Sequence, residues 1–131
     1  MYIIYNFLVL CVCCLFVLPY FLYRCICEAG FTTRMRQSLG GLRDEEIASV
    51  AQKDCIWIHG ASVGEIVATS PLVKEIRKAY PDSPILVSAV TVGGYNMAKQ
   101  IIQEADAIIY FPLDMPFVSE SFVKRIQPRI F

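Results

Sequence analysis

A chain of 131 residues that is 56% hydrophobic, with a mean hydropathy of +0.50, is too apolar for an ordinary soluble domain of that size. Its 12 basic side chains are balanced by 12 acidic ones, which argues against a dedicated nucleic-acid binder, whose phosphate contacts need a surplus of Lys and Arg. The apolar excess is local: no charged side chain precedes Arg24, and the rest of the chain has the make-up of a globular protein.

The uncharged block MYIIYNFLVLCVCCLFVLPYFLY predicts a membrane anchor over residues 1–24. From Ile3 to Tyr23, at about 1.5 Å of rise per residue, a helix covers a hydrocarbon core of roughly 30 Å. A cleaved secretory signal is the poorer reading, because no Lys or Arg precedes the apolar run and no Ala-x-Ala exit follows it. Tyr2, Tyr5, Tyr20 and Tyr23 suit the two interfaces, and Pro19 is tolerable near a helix end. Arg24, Arg34, Arg36 and Arg43 follow the block against a single Glu28. Cationic flanks stay inside, which predicts a single-pass protein of the plasma (inner) membrane with its globular part on the cytoplasmic face.

The cysteines carry little chemistry. Cys11, Cys13 and Cys14 lie within the apolar block, Cys25 and Cys27 have a spacing that fits no tetrahedral zinc site, and Cys55 stands alone. Residues 25–54, which end in RMRQSLGGLRDEEIASVAQKD, read as a basic juxtamembrane linker with a short helix around Asp44 to Ala51. Arg34, Arg36 and Arg43 either hold acidic headgroups, at about 1 kcal/mol each, or belong to a solvated linker.

Residues 55–131 alternate. CIWIHG, PILVSAVTV and AIIYFPL are apolar runs, each followed by a helical pattern. The order βαβαβα predicts an α/β domain with a parallel sheet and right-handed crossovers. Ligands collect outside the carboxyl ends of such strands, so HGASVGE, TVGGY and PLDMP are expected on one rim.

Each of these loops has two readings. In GASVGE the glycines let backbone N–H groups face an anion at a helix start, but neither a dinucleotide fingerprint nor a P-loop lysine is present. Ser62 and Glu65 also have capping-box spacing, in which Glu65 returns to the Ser62 N–H. Pro71 is expected to kink or restart the helix with Ser70 as a second cap. The TVGGY loop either makes a tight turn or touches a ligand, ahead of a helix with Met97, Ala98, Ile101 and Ile102 on its apolar face. Asp114 is expected to cap a helix that has Pro116 just inside it. His59 reads as a satisfied structural imidazole and Trp57 as core.

The run IWIHGASVGEIVATSPLVKEIRKAYPDSPILVSAVTVGGYNMA, with YFPLDMP and RIQPRIF after it and RMRQSLGGL before it, resembles the N-terminal half of the 3-deoxy-D-manno-octulosonic acid (Kdo) transferases. The resemblance implies the N-terminal Rossmann-like half of a B-type glycosyltransferase fold, here preceded by one transmembrane helix, acting on the lipid A precursor as acceptor with CMP-Kdo as donor. It also implies that Glu65 is the general base, that Ser62 and Gly64 shape its turn, and that Thr91, Gly93 and Gly94 line the cleft. No metal or cofactor is implied. Relatives carry several threonines where this chain has VTVGG, leaving Thr91 alone, and they continue past PRIF into a domain that holds the cytidine nucleotide. The chain is therefore expected to be a truncated acceptor half, inactive by itself. The alternative is a non-catalytic, membrane-anchored fragment that binds acidic lipid.

Overall fold

The computed structural model describes residues 2–131. The chain divides after Thr32 into two compact units. The first is built on one continuous helical run, Tyr2–Cys27, of 26 residues and mean hydropathy 2.3, long and apolar enough to cross a membrane by length and composition. It comprises α1 (Tyr2–Val12), a π-helical turn (Cys13–Val17) and α2 (Leu18–Cys27). Pro19 explains the wide turn. Its ring would clash with the carbonyl four residues back, and its missing N–H breaks the regular ladder, so the preceding turn relaxes to i→i+5 bonding, with Leu18 N–H donating to Cys13 O. Pro19 thus lies well inside the helix, which continues to Cys27 where the sequence suggested an end.

The second unit is α/β. Strands β1 (Ile56–Gly60), β2 (Ile85–Ala89) and β3 (Ala107–Tyr110) form a parallel sheet in the order β1-β2-β3. Ile56 pairs with Ile85 and Leu86 with Ala107. On the outer side of β1, Ile130 makes a parallel bridge to Ile56, with Trp57 N–H donating to Ile130 O at 2.9 Å. The apolar runs of the sequence become strands because both faces are covered. One face buries Cys55, Trp57, Leu86 and Ile109 with Phe122 and Ile126 of α7 (Pro116–Ile126) and Ile47 of α4 (Asp44–Ile47). The other buries Ile85, Val87 and Ala89 with Ile66 and Val73 of α5 (Val63–Ala79) and Ala98 of α6 (Val92–Ile101). Burial pushes the Cys55 thiol up from its ordinary value, which keeps it protonated and inert.

Several local expectations are corrected. Helix α5 runs unbroken through Pro71, and Ser70 is buried within it rather than capping a second helix. The proline forfeits one bond, to the carbonyl of the solvent-exposed Val67, where water can replace it. The helix expected to reach Ala51 stops at Ile47. Gln52 then takes a positive φ of 55° and sends its N–H to Ile126 O. The N-cap of α7 is Met115, not Asp114. A residue before proline is driven to extended backbone, and Met115 takes φ −117° and ψ 129°, which shifts the cap position one residue toward Pro116.

Residues 33–54, expected as part of a linker, belong to the folded unit. Helix α3 (Phe31–Ser38) lies at the carboxyl ends of β2 and β3. Gln37 Oε1 accepts the Tyr110 N–H at 2.7 Å, and Ser38 Oγ donates to Phe111 O at 2.9 Å. Leu113 N–H donates to Ser38 O, and Arg34 Nε donates to Val90 O at 2.8 Å. Strand ends leave backbone groups that need partners, and the polar side of a short helix supplies them. Gly40, at φ +99°, ends α3 in the left-handed conformation that glycine tolerates best, with its N–H on Gln37 O.

Arg36 then pairs with Glu46 at 2.5 and 3.2 Å, and Glu46 also accepts the Arg43 N–H at 2.8 Å. Burial alone would raise the Glu46 carboxyl, but the bonds from Arg36, Arg43 and Gln37 and the Arg36 charge together hold it at about 2, below its ordinary 4.5. A carboxyl depressed by folding adds stability that is complete above its unfolded value and is lost as pH falls through the folded one. The urea midpoint of the wild type should therefore exceed that of Glu46→Gln above pH 4.5, and the gap should close as pH approaches 2.

Candidate functional site

The junction of β1 and α5 is built around Glu65. Ser62 is extended, at φ −122° and ψ 169°, and its Oγ accepts the Glu65 N–H at 3.4 Å as the N-cap of α5. The Glu65 carboxylate folds back over the same turn. Its Oε2 accepts the Ala61 N–H at 2.8 Å and its Oε1 accepts the Ser62 hydroxyl at 3.2 Å. The spacing Ser-x-x-Glu thus does close a reciprocal cap, but on Ala61 rather than on Ser62's own N–H. Glu65 remains exposed. An ionised carboxylate has about four acceptor positions, and the cap uses two. The capping and the catalytic readings therefore do not compete: the cap holds the exposed side chain and leaves acceptor positions unused. Ile66, with no solvent exposure, anchors the turn from below, its Cδ1 so close that a Cβ on Gly60 would meet it at 2.9 Å.

The loop after β2 packs against this turn. Thr91 is the N-cap of α6, its Oγ1 accepting the Gly94 N–H at 3.0 Å. A Cβ on Gly94 would stand 3.0 Å from Thr91 Oγ1, 3.4 Å from Ala89 Cβ and 3.5 Å from the carbonyl carbon of Ser62. A Cβ on Gly93 would meet Val63 Cγ2 at 3.2 Å. The structure thus brings Ser62, Glu65, Thr91, Gly93 and Gly94 together on one rim. The tight neighbour is Thr91 Oγ1 of the same cap, the Ser62 distance being ordinary van der Waals contact, so it is the Thr91 cap that favours glycine at 94. Gly94→Ala should lower the stability of the chain by about 1–3 kcal/mol in urea titrations followed by the fluorescence of Trp57, its single tryptophan. Gly93→Ala should cost less, since the Val63 side chain can yield. Gly64 differs: a Cβ there would meet nothing within 4 Å, and its φ is not positive. Neither packing nor backbone conformation demands glycine at this position, which leaves bare backbone facing open space beside Glu65.

The third rim loop is tied to α3 through the Leu113–Ser38 bond, and Asp114 is exposed without a capping role. Of the three arginines expected at lipid headgroups, Arg34 is bonded to Val90 O and Arg36 to Glu46, while Arg43 is exposed. Sequence reasoning missed Gln37 and Ser38, because their partners lie 73 residues away in sequence and no local pattern announces them. It also passed over Ser88, for which a signal existed: a lone hydroxyl in the apolar run ILVSA. Ser88 is fully buried, receives the Trp57 indole N–H at 2.8 Å and lies 3.1 Å from His59 Nδ1. Among the described residues no three His, Cys, Asp or Glu side chains are grouped as metal ligands.

Comparison with known proteins bears on this rim. Residues 33–131 match the family described as 3-Deoxy-D-manno-octulosonic-acid transferase (kdotransferase). The chain is 35% identical over 83 residues to the 3-deoxy-D-manno-octulosonic acid transferase of Haemophilus influenzae, covering 63% of this chain and 19% of that protein. It is 29% identical over 117 residues to the protein of the same name from Chlamydophila psittaci, covering 86% of this chain and 26% of that one. The matched region is thus about a fifth to a quarter of these relatives' length. The family match takes in the Glu65 turn, the loop before α6 and helix α3 from Thr33 onward, and it is over this folded unit that the chain belongs to the 3-deoxy-D-manno-octulosonic-acid transferase family of glycosyltransferases.

Proposed function

We infer that this chain is the acceptor-binding part of a lipopolysaccharide-synthesising enzyme that moves Kdo from CMP-Kdo to the lipid A precursor, with Glu65 as general base. One observation carries the reading: Glu65 is an exposed carboxylate held by its own turn, with two acceptor positions open at the carboxyl end of β1. In the transfer, Glu65 removes the proton of the attacking hydroxyl as that oxygen bonds to the anomeric carbon of Kdo. The bond from that carbon to the phosphate oxygen breaks, CMP leaves with the electron pair, and the configuration inverts. Preorganisation matters here, because a base contributes only when it is within hydrogen-bond reach of its proton. Ser62 and Gly64 shape the turn, and Thr91, Gly93 and Gly94 form the adjacent wall, where the bare backbone of Gly64 lets a sugar come close.

The placement of Ile130 beside β1 supports a Rossmann-like half of a B-type glycosyltransferase, since it extends the sheet in the sense of a doubly wound order. The donor pocket belongs to the part of the relatives that this chain does not span. The helix Tyr2–Cys27 serves as a single-pass anchor in the inner membrane, and the basic residues after it keep the folded unit on the cytoplasmic side. Arg43, exposed, remains for acidic headgroups. The reading is tested by a chimera in which residues 33–131 replace the matching segment of one of these relatives. Mass spectrometry should detect Kdo added to a lipid A precursor only when CMP-Kdo is supplied. A folded chimera that transfers nothing, while the unaltered relative does, would overturn it.

A further inference from the structure

Three side chains on neighbouring strands form a polar chain inside an otherwise apolar layer. His59 and Ser88 are Cα partners in the parallel register, and Trp57, two residues before His59, shares its face of the sheet. The indole N–H can only donate, so its 2.8 Å contact makes Ser88 Oγ an acceptor. The buried Ser88 hydroxyl then needs an acceptor for its own hydrogen, since an orphaned one costs about 1–3 kcal/mol. Nδ1 of His59, at 3.1 Å, meets that need, provided that it bears no proton. The reverse arrangement, Nδ1–H donating to Ser88, would give the oxygen two donors and leave the hydroxyl hydrogen buried without a partner. The accounting therefore places the ring hydrogen on Nε2. Phe111 packs against the ring, tilted by 34° with centroids 4.1 Å apart, and limits its rotation.

His59 is half-buried, and among the described residues its Nε2 has no protein hydrogen-bond partner. It stands one residue before Gly60, from which the Glu65 turn departs. Its side chain shares the sheet face of Trp57, whereas Ile66, at the start of α5, packs on the opposite one. The carboxyl end of β1 is thus flanked by a carboxylate acceptor and an imidazole donor.

We propose that His59 is a fixed hydrogen-bond donor of this site: Trp57 and Ser88 lock its ring as the Nε2–H tautomer, and that N–H binds an anionic oxygen of the ligand, a sugar carboxylate or a phosphate. Only the ligand class rests on the glycosyltransferase reading; the tautomer follows from the hydrogen bonds. His59 is the one histidine of the chain, so selective ¹⁵N-histidine labelling of the full chain in micelles gives the resonances of a single ring. Nε2 should be protonated and Nδ1 not. Ser88→Ala, and separately Trp57→Phe, should release the lock and give a mixture of tautomers. Titration with free Kdo or inorganic phosphate should move the Nε2–H resonance saturably, and Ser88→Ala should weaken that binding about fivefold. A shift with Kdo alone assigns the oxygen to a carboxylate and a shift with phosphate alone to a phosphoryl group, and either supports the proposal. An Nδ1–H tautomer, or a tautomer unchanged in both variants, overturns the lock. A fixed Nε2–H that responds to neither anion, or equally to neutral glucose, overturns the binding role. Neither failure touches Glu65, whose role is read from turnover.

Discussion

Glu65→Gln in the Kdo-transferring chimera lowers turnover by about 10²-fold or more, a loss of roughly 2.7 kcal/mol of transition-state stabilisation. The amide keeps the length of the side chain and an oxygen that can accept the Ala61 N–H, which the carboxylate now receives at 2.8 Å. It cannot take a proton from a hydroxyl. The discriminating result is therefore a fall in turnover with little change in the urea midpoint. Equal losses of both would assign Glu65 to the cap alone, and unchanged turnover would remove it from the chemistry. Ser62→Ala is the complementary variant. It deletes the cap and the hydroxyl that holds Oε1, so stability falls by about 1 kcal/mol while the proton acceptor survives.

Ile66→Ala lowers the stability of the chain by about 2–5 kcal/mol, because a fully buried side chain beneath the turn is cut back and the rigid strand above it cannot follow. Trp57, 5% exposed in the same sheet, reports the transition by its fluorescence in urea. The geometry adds a sharper expectation. The closest neighbour of a Cβ on Gly60 is Ile66 Cδ1, at 2.9 Å, an atom that Ile66→Ala removes. Gly60→Ala should therefore be costly in the wild type and milder in the Ile66→Ala background, where only the backbone N of residue 66, 3.3 Å from that Cβ, is left as a tight neighbour. The favourable coupling expected between two such touching sites is about 0.5–3 kcal/mol. Simple additivity would show that the turn does not rest on Ile66.

The parts of this fold that were legible in the sequence are those whose causes are local. Apolar runs bounded by Gly, Pro and Asp become strands covered on both faces, and the order of strand and helix dictates a parallel sheet. The Glu65 turn could be read because its partners, Ala61 and Ser62, are four and three residues away. Helix α3 could not. Arg34, Gln37 and Ser38 have the look of solvated residues, and their actual partners, Val90, Tyr110 and Phe111, are 56 to 73 residues distant. Composition does not distinguish a polar side chain that faces water from one that satisfies the end of a strand. Asp114 illustrates the opposite failure. A strong local preference for capping lost to a stronger one, the extended backbone that Pro116 imposes on Met115.

The wide turn at Cys13–Val17 sets the two halves of the helical run Tyr2–Cys27 apart. A surplus residue absorbed inside a helix puts the surfaces above and below it out of phase by about 100°. No unbroken seam can then run from Tyr2 to Cys27, so a second helix lying alongside would find only half of its length matched. Such a segment offers a neighbouring helix no continuous stripe. Deleting one residue within the bulge would bring the two halves back into step and create the continuous stripe that lateral pairing requires.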